Sequence, residues 1–89
     1  MPQIELTPHL ARHVDCPPEA VPGGTVRDVL EAYFARHPAV RAYVLDEQGE
    51  LRRHVVIFVG ETQAHDRKAL SDPVAGEQTV YVMQALSGG

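Results

Sequence analysis

Few residues in this chain of 89 have the type and spacing to do chemistry. His9, His13 and Cys16 have metal-like spacing, but structural zinc needs four converging ligands and Pro17-Pro18 follow at once. These three are therefore not taken as a metal site. Cys16 is the single cysteine, so an intrachain disulfide is impossible, and no activating group beside the thiol is evident from the sequence. It reads as an ordinary thiol in a strand or loop. Arg52-Arg53 is a short basic patch that suits a solvated strand end or an acidic partner surface. His37, before Pro38, and His54 read as solvated ends. No Ser-His-Asp arrangement, Gly-rich phosphate loop or paired-carboxylate motif is recognisable.

That leaves Ala85-Leu86-Ser87-Gly88-Gly89. Gly89 has no Cβ to crowd its carbonyl carbon, and Gly88 lets the backbone take conformations that other residues avoid, so the pair suits a narrow cleft. A terminal carboxyl with its ordinary pKa of roughly 3.3–3.7 is ionised at neutral pH. Leu86 and Met83, near the root of this tail, are candidate partner contacts, with Ser87 keeping the tail small and wet.

The elements that must position the tail follow from pattern. Gln3-Ile4-Glu5-Leu6 alternates and predicts a strand before Pro8. Residues 9–21 are irregular and proline-rich, an interrupted edge strand. Thr25, with Asp28 three residues on, caps a helix beginning at Val26, and Val26, Val29, Leu30, Tyr33 and Phe34 form its apolar stripe until Pro38 stops it. Residues 39–45 are apolar but too short for an independent helix and are expected to pad one end of the core. Asp46-Glu47-Gln48-Gly49 predicts a turn and residues 54–59 a strand ended by Gly60. Leu70 and Val74 are the expected anchors of a polar stretch with a turn at Asp72-Pro73. Residues 78–83 are the last strand, Val80 and Val82 sharing a face. The order is ββαββ, an α+β chain whose mixed sheet packs on one main helix, because the helix stripe and the inner sheet face can bury only each other.

Twelve acidic against eight basic residues, with no basic stripe interleaved with aromatics, argue against nucleic-acid binding. The first residues have neither a basic n-region nor an apolar h-region, and no apolar run reaches membrane-spanning length, so a cytoplasmic location without membrane contact is expected.

Gly24-Thr25-Val26-Arg27-Asp28-Val29-Leu30, Gly49-Glu50-Leu51-Arg52-Arg53-His54-Val55, Leu70-Ser71-Asp72-Pro73-Val74 and a last strand running straight into Gly-Gly resemble, over essentially the whole chain, the ubiquitin-like sulfur carriers of MoaD/ThiS type. Members include the small subunit of molybdopterin synthase, the thiamine-pathway carrier and a carrier used in cysteine synthesis. Many relatives place Asn-Gly after the third strand and Asp-Gly-Asp before the last, where this chain has Val59-Gly60-Glu61 and Ala75-Gly76-Glu77-Gln78, which leaves the subfamily open. The resemblance implies a β-grasp domain over residues 1–84 and a flexible tail over 85–89. It also implies a carrier rather than an enzyme, with Gly89 as the site of adenylation and thiocarboxylate formation and Gly88 beside it. No cofactor would be bound. ATP would be used by an E1-like adenylating partner, and a persulfide donor and a sulfur-accepting synthase would complete the set of partners. A covalent protein modifier and a noncovalent interaction domain are the alternatives, since fold does not fix function.

Overall fold

In a computed structural model of the protein, residues 1–8, 12 and 14–84 are described. Thr25, in extended conformation, accepts a hydrogen bond from the Asp28 amide at 3.1 Å and starts α1, Val26–Arg36. Asp28 in its first turn and Arg36 in its last complement the helix dipole. Val26, Val29, Leu30, Tyr33 and Phe34 are all buried, as their spacing predicts. Gly23 enters this corner at φ +155°, where an added Cβ would lie 2.6 Å from the Val29 amide nitrogen, so a side chain there is excluded.

Pro38 does stop α1, but it also opens α2, Pro38–Val44, from its first turn. The segment expected only to pad the core is thus a second helix. It is too short to stand alone and holds because Val40 and Val44, four residues apart, are fully buried. Arg41 pins it to α1 through the Glu31 carboxylate at 2.6 Å and lies 5.7 Å from the Phe34 ring centroid.

The strands are β1 (Gln3–Leu6), β2 (Glu19–Ala20), β3 (Val55–Val59), β4 (Thr62–Gln63) and β5 (Thr79–Gln84), in sheet order β2-β1-β5-β3-β4. β1 and β5 run parallel and the other pairs antiparallel. Register aligns Ile4, Val80 and Val59 in one row and Leu6, Val82 and Ile57 in the next. These rows face the helices and, with the α1 and α2 residues, form one core. The ββαββ frame therefore stands, enlarged by α2 and by the two-residue edge strand β4. The proline-rich approach yields β2, a two-residue edge strand on β1.

Leu70 and Val74 are buried anchors as expected. Asp72-Pro73 is not a turn. Pro73 bridges antiparallel to Thr25, with the Asp72 carbonyl accepting from the Val26 amide, and the chain turns later at Gly76-Glu77. Two carboxylates organise this stretch. Asp66 accepts from the amides of Lys68, Ala69 and Ser71 and from the Ser71 hydroxyl at 2.6 Å, while Asp72 accepts from the amides of His65 and Asp66. The Ser71 hydroxyl and the Ala69 amide lead in holding the Asp66 carboxyl well below the usual range. The His65 and Asp66 amides lower Asp72.

A native pKa depressed below the unfolded value contributes stability that is fully present above the unfolded pKa of about 4 and is lost as pH falls from there through the lower native pKa. Asp66→Asn should lower the thermal midpoint at pH 7, with the gap from wild type closing below about pH 4; a gap independent of pH would show that ionised Asp66 does not organise the loop.

Candidate functional site

The strand that leads to the tail is the most constrained in the molecule. β5 lies between β1 and β3, and its pairing with β3 extends to its last residue, Gln84, opposite Val55. On the other side the Thr7 amide donates to the Val82 carbonyl at 3.1 Å. β5 is thus held on both flanks as far as Val82, and on the β3 flank as far as Gln84. Leu86, Ser87, Gly88 and Gly89 lie outside the described residues, as do His9 and His13.

Alternation along β5 and β3 sends Tyr81, Met83, Val56 and Phe58 to the face away from the helices. Tyr81 pairs with Phe58, and Met83 with Val56. Met83 is 40% exposed and the other three are partly so. Tyr43 of α2 is exposed to the same degree and lines, with Thr7, Val55 and Gln84, a small depression beside Met83. A second groove beside Met83, about 170 Å³, is lined by Glu5, Leu6, Thr7, Pro8 and Tyr81. The buried Thr7 hydroxyl oxygen finds no partner among the described residues. Met83 is thus an exposed residue one position before the end of β5. Tyr43 and Thr7 were not legible there, since α2 itself was not expected. Tyr81, Phe58 and Val56 carried a signal in the strand alternation, which places each opposite the buried set.

Cys16 and His37, two of the groups weighed for reactivity, are taken up in the structure. Cys16 is 6% exposed, and burial, reinforced by the negative charge of Asp15, pushes its thiol up. Burial likewise raises the Tyr33 phenol, which donates to the Pro17 carbonyl at 2.8 Å. The His37 imidazole bonds the Glu19 carboxylate, which Arg36 also meets at 2.9 Å, tying β2 to the junction of the helices. Among the described residues no group of three His, Cys, Asp or Glu side chains is placed to hold a metal ion. No helix of the described residues is long and apolar enough to cross a membrane.

A five-stranded mixed sheet with parallel first and last strands and helices on one face is a ubiquitin-like β-grasp domain. No protein-family model and no curated protein sequence matches the chain significantly. Among solved structures, SAMP1 of Haloferax volcanii is 26% identical with a TM-score of 0.77, the match covering 99% of this chain and 98% of that one. A chain of the Amycolatopsis orientalis BexX/CysO complex is 19% identical, TM-score 0.82, over 100% of both chains. CysO of Mycobacterium tuberculosis, 19% identical with a TM-score of 0.81, matches over 97% of this chain and 100% of its own. The two 19% likenesses establish the fold. The neighbours are of the ubiquitin-like carrier and modifier kind that the sequence resembles.

A buried, protonated thiol should be inert. Iodoacetamide should alkylate Cys16 of the native protein far more slowly than that of urea-unfolded protein; equal rates would show that the thiol is open and activated.

Proposed function

We propose that the chain is a sulfur carrier whose working group is the Gly89 carboxylate. The observation that carries this reading is β5, a central strand paired on both sides, which runs to Gln84 and directly precedes Ala85-Leu86-Ser87-Gly88-Gly89. The likeness to SAMP1 at 26% identity over 99% of the chain supports it. The one thiol, Cys16, is buried and so is not offered as a competing nucleophile.

In this reading an E1-like enzyme binds ATP, and a Gly89 carboxylate oxygen attacks the α-phosphorus, releasing pyrophosphate and leaving an acyl adenylate. The outer sulfur of a persulfide then attacks the carbonyl carbon and AMP departs, giving an acyl disulfide. A thiol cleaves that disulfide, leaving the thiocarboxylate on Gly89 and a new disulfide between donor and thiol. The thiocarboxylate sulfur attacks an electrophilic acceptor on a synthase and displaces its leaving group. Water then cleaves the resulting thioester, leaving the sulfur on the acceptor and the carboxylate on Gly89. Electrophilic activation, nucleotide and sulfur all come from partners. This chain supplies an uncrowded carboxyl group and a body to be gripped, with Met83 and Leu86 as contacts at the tail root.

Incubation with the E1-like enzyme of the same organism, ATP, a persulfide donor and a thiol should replace one oxygen of the intact chain by sulfur, read by mass spectrometry. Deleting Gly89, or adding a residue after it, should abolish the change. An unmodified wild-type chain where a control carrier is converted would end the proposal, and higher-mass lysine conjugates would mark a protein modifier instead. Because Met83 is exposed, Met83→Asp should keep the fold by circular dichroism yet slow loading by about tenfold or more, the scale of a buried interface anchor. Unchanged loading would remove Met83 from the contact.

A further inference from the structure

The charges on this chain are not evenly matched. On the helices Arg27 and Arg41 meet Glu31, and Arg36 meets Glu19. Arg52 and Arg53, just before β3, and Arg67, on the loop after β4, have no carboxylate within ion-pair distance among the described residues. Arg67 spends its guanidinium on backbone, donating to the carbonyls of Arg52 at 2.7 Å and Val55 at 2.8 Å. Arg52 donates to the Ala42 carbonyl at 2.7 Å. Both positive charges are held in place without being neutralised. Arg53 and His54, between them, are exposed.

Register places this corner. Val55 pairs with Gln84, so Arg53 and His54 sit just ahead of the β3 residue against which the last strand ends. The other end of the same two strands is acidic, with exposed Glu61 after Val59 and exposed Glu77 before Thr79. In a chain of net charge −4, the Arg52, Arg53 and Arg67 corner lies at the Gln84 end of β5, with Asp46 and Glu47 lining a depression beside Arg52.

We propose that the Arg53 corner, with Arg52 and Arg67 behind it, docks against an acidic surface beside the cleft of the protein that receives the tail. It works alongside the exposed Met83 face and orients the chain tail-first. This rests on the tail reading given above. Charges at the rim of an interface act mainly on the rate of productive encounter and on its salt dependence, and they leave the chemistry within the complex unchanged.

The test is adenylation, followed as ATP–pyrophosphate exchange with the E1-like enzyme of the same organism. In low salt Arg53→Glu should lower kcat/KM by about tenfold, Arg53→Gln should fall between it and wild type, and kcat should be the same for all three. At about 0.5 M salt, where screening acts over a few ångströms, the three kcat/KM values should converge. Circular dichroism should be unchanged, since no side-chain bond of Arg53 is broken. Equal kcat/KM for the three proteins at low salt, with wild type exchanging normally, overturns the docking corner and leaves the tail reading standing. A loss that persists at high salt, or one that appears in kcat, also overturns it. No exchange by wild type removes the tail reading and the docking corner with it.

Discussion

The structure depends on one pairing, the parallel alignment of the first strand with the last. Gln3 to Leu6 lie beside Thr79 to Val82, so contacts that close the sheet join residues more than seventy positions apart in the chain. A parallel pair cannot be joined by a hairpin and needs a crossover, here the helices with their flanking loops. It also makes β5 an interior strand although it comes last, since β3 takes its other edge. Folding is complete only when residues 79–84 are inserted, and Gln84 is then held against Val55. The tail root inherits the rigidity of the sheet centre, whereas a strand at an edge would fray.

A single helical layer leaves the sheet with two different faces. The inner face is aliphatic, Ile4, Val80, Val82, Ile57 and Val59, and packs on the α1 stripe. The outer face keeps Val56, Phe58, Tyr81 and Met83 half-covered. Such a face costs little in a small domain, where much of the surface is apolar in any case. It becomes informative by position, because Met83 lies one residue before the last residue of β5 and beside two depressions. Cys16 is desolvated, and the His37–Glu19–Arg36 cluster fastens an edge strand. On the proposed reading fold and reactivity are separated, the body providing shape and the tail the functional group.

Local signals were the legible ones. Thr25 with Asp28, the 26/29/30/33/34 stripe, the Ile4/Leu6 and Val80/Val82 alternations and the anchors Leu70 and Val74 all rest on interactions within a turn or along one strand. What the sequence hid was decided by distant partners. Pro38–Val44 lacks the length for a helix and gains it from burial of Val40 and Val44 and from Glu31 of the preceding helix. Pro73 follows an aspartate, as a turn proline often does, but Thr25 draws it into an extended bridge. Arg67 reaches back twelve or more residues to cap the carbonyls at the start of β3, and no periodicity announces that. The outer-face residues near the tail were half-visible: the alternation pointed to Tyr81 and Phe58, while Tyr43 and Thr7 needed the tertiary arrangement.

The same distant bonds connect the loop after β4 to the tail root. Asp72 accepts the amides of His65 and Asp66; Asp66 in turn gathers the amides of Lys68, Ala69 and Ser71. Arg67, enclosed between these bonds, is thereby aimed at the carbonyls of Arg52 and Val55. A guanidinium satisfied by neutral carbonyls has no bonded carboxylate to offset its charge, so the charge of Arg67 is not cancelled by its own hydrogen bonds. Overall negative charge keeps copies of the chain apart, and the reversed sign at one end of the sheet gives its field a direction. Near a partner the separation of charge along β3 and β5 acts over a Debye length of about 8 Å at physiological salt, enough to bias orientation before the apolar face makes contact. Asp66, on the loop after β4, thus bears on the tail end of the sheet through Arg67, although it carries none of the positive charge itself.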